Sequence, residues 1–137
     1  LNVDIFAPCA LGSVLNDNTI SRLKAKIVAG GANNVLEIPK VHGLILKEKD
    51  ILYAPDYAIN AGGLINVANE LEGYNRQRAF DQAEGIYDML IEIFRRSNKD
   101  NIATNIASDF QAEDRINKMA GLKSFYTIKK KSIFKNR

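Results

Sequence analysis

The chain has no tryptophan, one cysteine (Cys9), one histidine (His42) and three prolines among its 137 residues. A lone cysteine excludes an internal disulfide and fits a reducing compartment, so a cytoplasmic protein is expected. One His and one Cys leave too few ligands for a zinc cluster. No apolar run is long enough to span a bilayer, which removes a membrane from the expected partners. The N-terminus has no secretory pattern. It also begins at Leu1 rather than Met, inside what reads as a strand, and this suggests a piece of something longer. What is present is ordinary for a globular protein, 46% hydrophobic and 26% charged. The length suits one domain at most.

Charge is unevenly spread. Lys123, Lys129, Lys130, Lys131, Lys135 and Arg137 lie in a stretch with no acid, and without those six the net charge of +3 becomes −3. Such a tail can touch nucleic acid or an acidic membrane. More often it is a solvated, frayed terminus, so nucleic acid is not the expected partner.

The stretch that organises the rest is Tyr53 to Leu71, YAPDYAINAGGLINVANEL. The apolar run Ile51–Ala54 is cut by Pro55, and after Gly62-Gly63 the residues Leu64, Val67, Ala68 and Leu71 follow the spacing of one helix face. This reads as strand, loop, helix, with Asn60 as the helix N-cap. Two glycines in the first turn would let a flat or anionic group approach its free N–H groups. A glycine-softened loop ahead of a core helix fits the same pattern.

Two earlier segments repeat the scheme. Val3 to Ala7 reads as a buried strand ending at Pro8-Cys9-Ala10-Leu11-Gly12, and Lys26 to Ala29 as a second ending at Gly30-Gly31-Ala32-Asn33-Asn34. In open parallel sheets ligands sit outside such strand ends, and small residues there suit a flat cofactor. Asn33 and Asn34 each donate and accept, which suits a carboxamide; an Asn-rich turn explains them equally. Cys9 as a nucleophile lacks a His nearby in sequence, and packing accounts for it more simply. Asn16, Asp17 and Thr19 are turn or cap residues before a short helix at Ile20–Leu23, and Val41–Lys49 reads as a short amphipathic helix. The alternation is an α/β signature with about three parallel strands and flanking helices.

Beyond Gly73 the chain turns helical. Phe80, Ala83, Tyr87, Leu90 and Phe94 form an apolar seam, Ser97–Asp100 read as a break, and Ile106, Phe110, Ile116 and Met119 mark a last helix that Gly121 would end. The expected division is 1–72 for the sheet, 73–120 for helices that cover it or a missing segment, and 121–137 for the tail.

DIFAPCALG, AGGANN and YAPDYAINAGGLINVANELEGYNR, in this order and at these intervals, resemble the C-terminal part of the glutamate/leucine/phenylalanine/valine dehydrogenase family, its leucine-type members above all. The resemblance covers roughly Val3 to Lys118. It implies the second half of a Rossmann-type NAD-binding domain and an enzyme that oxidatively deaminates an L-amino acid to its 2-oxo acid and ammonia, with NAD as hydride acceptor. It would place Ala7, Pro8, Cys9 and Ala10 beside the nicotinamide, and an amide of Asn33 or Asn34 near cofactor and substrate carboxylate. Asn60, Gly62 and Gly63 would border the nicotinamide, with Gly63 also facing the substrate. Leu64 and Val67 would line the pocket for the substrate side chain. Both are aliphatic, which favours an aliphatic amino acid over glutamate, whose carboxylate would lose its water without a charged partner. Leu64, larger than the usual valine there, would trim the pocket toward valine-sized substrates.

The departures from that family are as telling. The GxGxxG fingerprint is absent, and Gly30-Gly31-Ala32 does not replace it. The acidic residue that would hold the adenosine ribose is also missing. So is the N-terminal catalytic domain, with its substrate-binding lysines and its aspartate. The chain alone is therefore expected to be inactive, its partners being that domain, an amino acid substrate and, in the whole enzyme, further copies of itself. The alternative is a non-catalytic interaction module with a polyanion-binding tail.

Overall fold

The computed structural model describes residues 2–123, with side chains described through Gly121. The basic tail beyond Lys123 lies outside them. Three two-residue strands, β1 (Ile5–Phe6), β2 (Ile27–Val28) and β3 (Leu52–Tyr53), form one parallel sheet in the order β1-β2-β3. Ile5 stands opposite Ile27 and Ile27 opposite Leu52, so the three strands end level. Helices α1 (Asp17–Ile20) and α2 (Pro39–Glu48) fill the crossovers, α3 (Asp56–Ile59) and α4 (Gly62–Leu71) follow β3, and α5 (Arg76–Asp100) and α6 (Thr104–Lys123) close the described chain. This is the α/β arrangement, with C-terminal helices, that the sequence implies.

Local signals explain most boundaries. Asn16 caps α1 by accepting from Asn18 and Thr19 N–H, and the Thr19 hydroxyl accepts from Asn16 N–H in return, a capping box. Pro39 opens α2, where a missing N–H costs nothing. Asn75 caps α5 by accepting from Arg78 N–H at 3.0 Å. The main core gathers Leu15, Ile20, Val28, Val35, Leu46 and Tyr53 around β2. A smaller one joins Ala58 of α3, Ile93 of α5 and Ala107 of α6.

Five expectations about the elements need correction here. The first helix spans Asp17–Ile20 rather than Ile20–Leu23, so Asp17 and Thr19 lie inside it and Leu23 beyond it. Val3–Ala7 is not a buried strand: β1 is an edge, and Val3 and Ile5 are 42% and 56% exposed. α5 does not break at Ser97. Its last turn continues because the Ser97 hydroxyl donates to Ile102 C=O at 2.6 Å, and Asn101 takes the left-handed cap conformation at φ 53°. The seam of α5 is shifted: Ala79, Ile93 and Ser97 are buried, whereas Phe80 and Tyr87 are 54% and 70% exposed. Small residues let α5 approach its neighbours closely, and aromatic spacing misjudged which side did so. Finally, α6 runs through Gly121 to Lys123, and it turns Ala107 inward while Ile116 and Met119 stay exposed.

Candidate functional site

The strand ends open on one rim, and hydrogen bonds tie its three segments together. The turn after β2 joins the loop after β1 through Ala32 N–H to Pro8 C=O at 2.9 Å and Gly31 N–H to Cys9 Sγ at 3.4 Å. Gly30 makes that approach feasible, since a methyl group there would sit 2.2 Å from the Pro8 carbonyl oxygen. The same turn joins the segment after β3: Asn60 Nδ2 donates to Asn33 Oδ1 at 2.5 Å and to Gly31 C=O at 3.4 Å. Pro8 is buried beneath this rim, and Ala7, Cys9, Ala10, Asn33 and Asn34 are exposed on it.

Asn60 is not the N-cap of α4. The one-turn helix α3 intervenes, Asn60 is its C-cap, and Ala61 precedes α4 with no side-chain cap. Pro55 starts α3 early, and this frees the Asn60 amide for the cross-loop bonds. With Asn33 Oδ1 and Asn60 Nδ2 engaged in this exposed bond, Asn33 Nδ2 and Asn60 Oδ1 remain as a donor and an acceptor.

Gly62 and Gly63 open α4, and a methyl group on either would meet nothing within 4 Å. The first turn of this ten-residue helix therefore presents bare backbone. Leu64 and Val67, on the next turn, are 74% and 55% exposed, and Leu71 is 88% exposed. The face that packs is the polar one. Buried Asn69 donates to Gln82 Oε1 at 2.7 Å and to Ile65 C=O at 2.9 Å, and accepts from Arg78 Nε. Arg78 also donates to Gly73 C=O at 2.9 Å, which closes the turn between α4 and α5.

Several residues beneath the rim escaped the sequence reading. Asp56, 8% exposed, accepts from the Tyr53 hydroxyl at 3.0 Å and from Val35 N–H at 3.3 Å. Burial first, and then the Asp56 charge, push the Tyr53 hydroxyl far above the ordinary tyrosine range, so it stays protonated. Tyr57 donates to Asp109 Oδ1 at 2.8 Å and to Asn105 C=O at 3.1 Å, and its pKa is pushed from 10.0 up to about 12, chiefly by burial. A cavity of about 280 Å³, lined among others by Asn34, Tyr53, Asp56, Tyr57, Asn105 and Asp109, lies against these groups. An acid directly after Pro55 at a strand end was the available signal. His42 is structural: its Nδ1 accepts from Ile38 N–H at 2.9 Å, which leaves Nε2 to donate to Asp17 at 3.3 Å. Among the described residues no cluster of His, Cys, Asp or Glu could hold a metal ion, and no helix is long and apolar enough to cross a membrane.

Level parallel strand ends, with small residues and amides gathered above them, define an α/β domain of three parallel strands with flanking helices. The comparisons then fix the family. The profile of the Glutamate/Leucine/Phenylalanine/Valine dehydrogenase family matches residues 1–132, and the chain belongs to that family. It is 55% identical over 123 residues to the leucine dehydrogenase of Thermoactinomyces intermedius, covering 90% of this chain and 33% of that protein. It is 54% identical over 124 residues to an L-tryptophan dehydrogenase of Nostoc punctiforme, covering 90% and 35%. The crystal structure of L-tryptophan dehydrogenase from that organism superposes with a TM-score of 0.84 at 55% identity, over 86% of this chain and 35% of the other. The chain thus spans about a third of the length of the curated relatives it matches.

Proposed function

We propose that this chain is the C-terminal portion of an NAD-dependent L-amino acid dehydrogenase of the aliphatic, leucine or valine type, and that by itself it is inactive. The observation that carries this is the rim: three segments distant in sequence, at Pro8, Asn33 and Asn60, are bonded together at the ends of one parallel sheet. The residues present suit the nicotinamide end of NAD. Ala7, Pro8, Cys9 and Ala10 supply a low wall, Asn33 and Asn60 keep one donor and one acceptor for a carboxamide, and Gly62 leaves backbone open. When bound, NAD would accept hydride from the substrate Cα.

The tasks of this chain's own residues are then binding and orientation. Asn34 and Gly63 would border the substrate. Leu64 and Val67, exposed on one side of α4, would form one wall of the side-chain pocket and reject a charged group, which would be desolvated against them. The relatives at nearly equal identity include a leucine and a tryptophan enzyme, so the aliphatic assignment rests on those two side chains rather than on overall likeness. Binding of the adenine half, the substrate lysines and the proton-handling aspartate are assigned to a partner segment that the family's N-terminal part would provide, with homo-oligomers expected for the whole enzyme.

The test follows NADH absorbance with NAD and L-leucine. The lone chain gives no steady turnover. Co-expression with the N-terminal two-thirds of the Thermoactinomyces intermedius enzyme restores it, and Leu64→Gly then widens acceptance toward larger side chains. Turnover by the lone chain overturns the inactivity claim. Failure of an assembled complex to reduce NAD overturns the enzymatic one.

A further inference from the structure

Asn34 sits at φ 52°, the left-handed region that a side chain enters only at some cost and Asn more readily than most. Something must hold it there. Packing on one side is open, because the cavity of about 280 Å³ lies against this turn. Two hydrogen bonds hold it. In a trans peptide the C=O and N–H point in opposite directions. The Asn34 C=O accepts from Ser13 N–H at 2.7 Å, and the N–H of the same peptide unit, on Val35, donates to Asp56 Oδ2 at 3.3 Å. Gly12 permits the first contact, since a methyl group there would lie 2.9 Å from the Asn33 carbonyl oxygen and 3.0 Å from that of Asn34.

The second bond is itself braced. Tyr53 donates its hydroxyl hydrogen to Asp56 Oδ1 at 3.0 Å and accepts from Asp56 N–H at 3.2 Å, so the carboxylate cannot rotate freely. Asp56 has no ion-pair partner among the described residues. Its charge is therefore used on hydrogen bonds, one of which reaches the rim.

We propose that Asp56 is a positioning residue: its buried carboxylate and the Ser13 amide hold the Asn34–Val35 peptide plane from opposite sides and thereby set how Asn33 and Asn34 are presented at the rim. That this presentation serves a cofactor rests on the reading given above.

Amide hydrogen exchange in the chain tests it, with Val35 as reporter and Leu46 in α2 as internal reference. Asp56→Ala speeds exchange at Val35 relative to Leu46 by roughly tenfold or more, the loss expected for a hydrogen bond to a charged group. Asp56→Asn, whose amide oxygen still accepts, recovers most of that protection, and Tyr53→Phe leaves the Val35 bond in place with a smaller change. Equal acceleration at Val35 and Leu46, or none at Val35, overturns the proposal. If Asp56→Ala does not fold, Asp56→Asn answers: a neutral acceptor is weaker than a charged one, so exchange at Val35 rises relative to Leu46 by a few-fold, and no change at Val35 overturns the proposal. NAD added to the complex with the N-terminal two-thirds of the Thermoactinomyces intermedius enzyme reads the other question separately. No response at the Asn33 and Asn60 side-chain amides counts against the nicotinamide reading, while the exchange result still decides the role of Asp56.

Discussion

Residues 2–60 and the start of the second half, α4, bury opposite kinds of surface. In the first, aliphatic side chains go inside: Leu15, Ile20, Val28 and Leu46 are at most 1% exposed. In the second, α4 does the reverse, burying Asn69 and leaving Leu64, Val67 and Leu71 outside. The first half is positioned by packing. The start of the second is positioned by a polar network through Asn69, Arg78 and Gln82. A helix pinned by its polar back keeps its apolar front free for another use, and in the proposed function that use is the substrate pocket.

The contrast can be broken by glycine substitutions. Gly30→Ala forces a methyl group against Pro8 backbone and is expected to destabilise by about 3 kcal/mol, at the upper end for overpacking, whereas Gly63→Ala stays within about 0.5 kcal/mol of wild type. Urea unfolding of the two variants checks this. Similar losses in both would mean that the α4 start is as tightly packed as the strand ends. Ile93→Ala, in the smaller core, is expected to cost about 2 kcal/mol, the low end for such truncations because Met89, Leu90 and Phe94 beside it are only half-buried and can close the space. Asn60→Ala removes the cross-loop bonds for about 1 kcal/mol, measured the same way.

The junction of the halves sharpens the comparison through pH. Tyr57 bridges α3 to α6, and its folded pKa of about 12 lies above the unfolded value of 10.0. The unfolded chain therefore releases that proton first as pH rises. The contribution is complete below pH 10 and is lost toward pH 12, with Tyr53 acting in the same direction. Thermal melts across that window should show a shallower decline in Tyr57→Phe. The smallest effect is expected for Leu64→Ser, within about 0.5 kcal/mol, because a residue 74% exposed loses little on truncation. A large loss there would mean that α4 is packed after all.

Much of the sheet was legible. The runs at 26–29 and 51–54 each contain an observed strand, since β-branched and aromatic clusters bounded by Gly or Pro have few other solutions. The edge status of β1 was not legible, because an apolar run does not say how many neighbours it has. The helix α3 was missed because four residues are too few for a period, and with it went the role of Asn60. The face of α5 was misread because Ala79 and Ser97 carry the contact, and small residues leave no strong apolar signal. The loops that form the rim were found, because small and amide residues at strand ends are a local pattern. The Asp56 support beneath them was not, since it depends on Val35, 21 residues away.

The two-residue strands also set a sequence of events in time. Each pairs only with a strand beyond a crossover, so neither pairing can form before some twenty residues of chain have been closed into a loop. The hairpin of α5 and α6 needs only the short turn at Asn101–Ala103. Helix formation takes microseconds or less and non-local strand pairing is slower, so we expect α5 and α6 to gain protection first in pulse-labelled exchange and the sheet to register last.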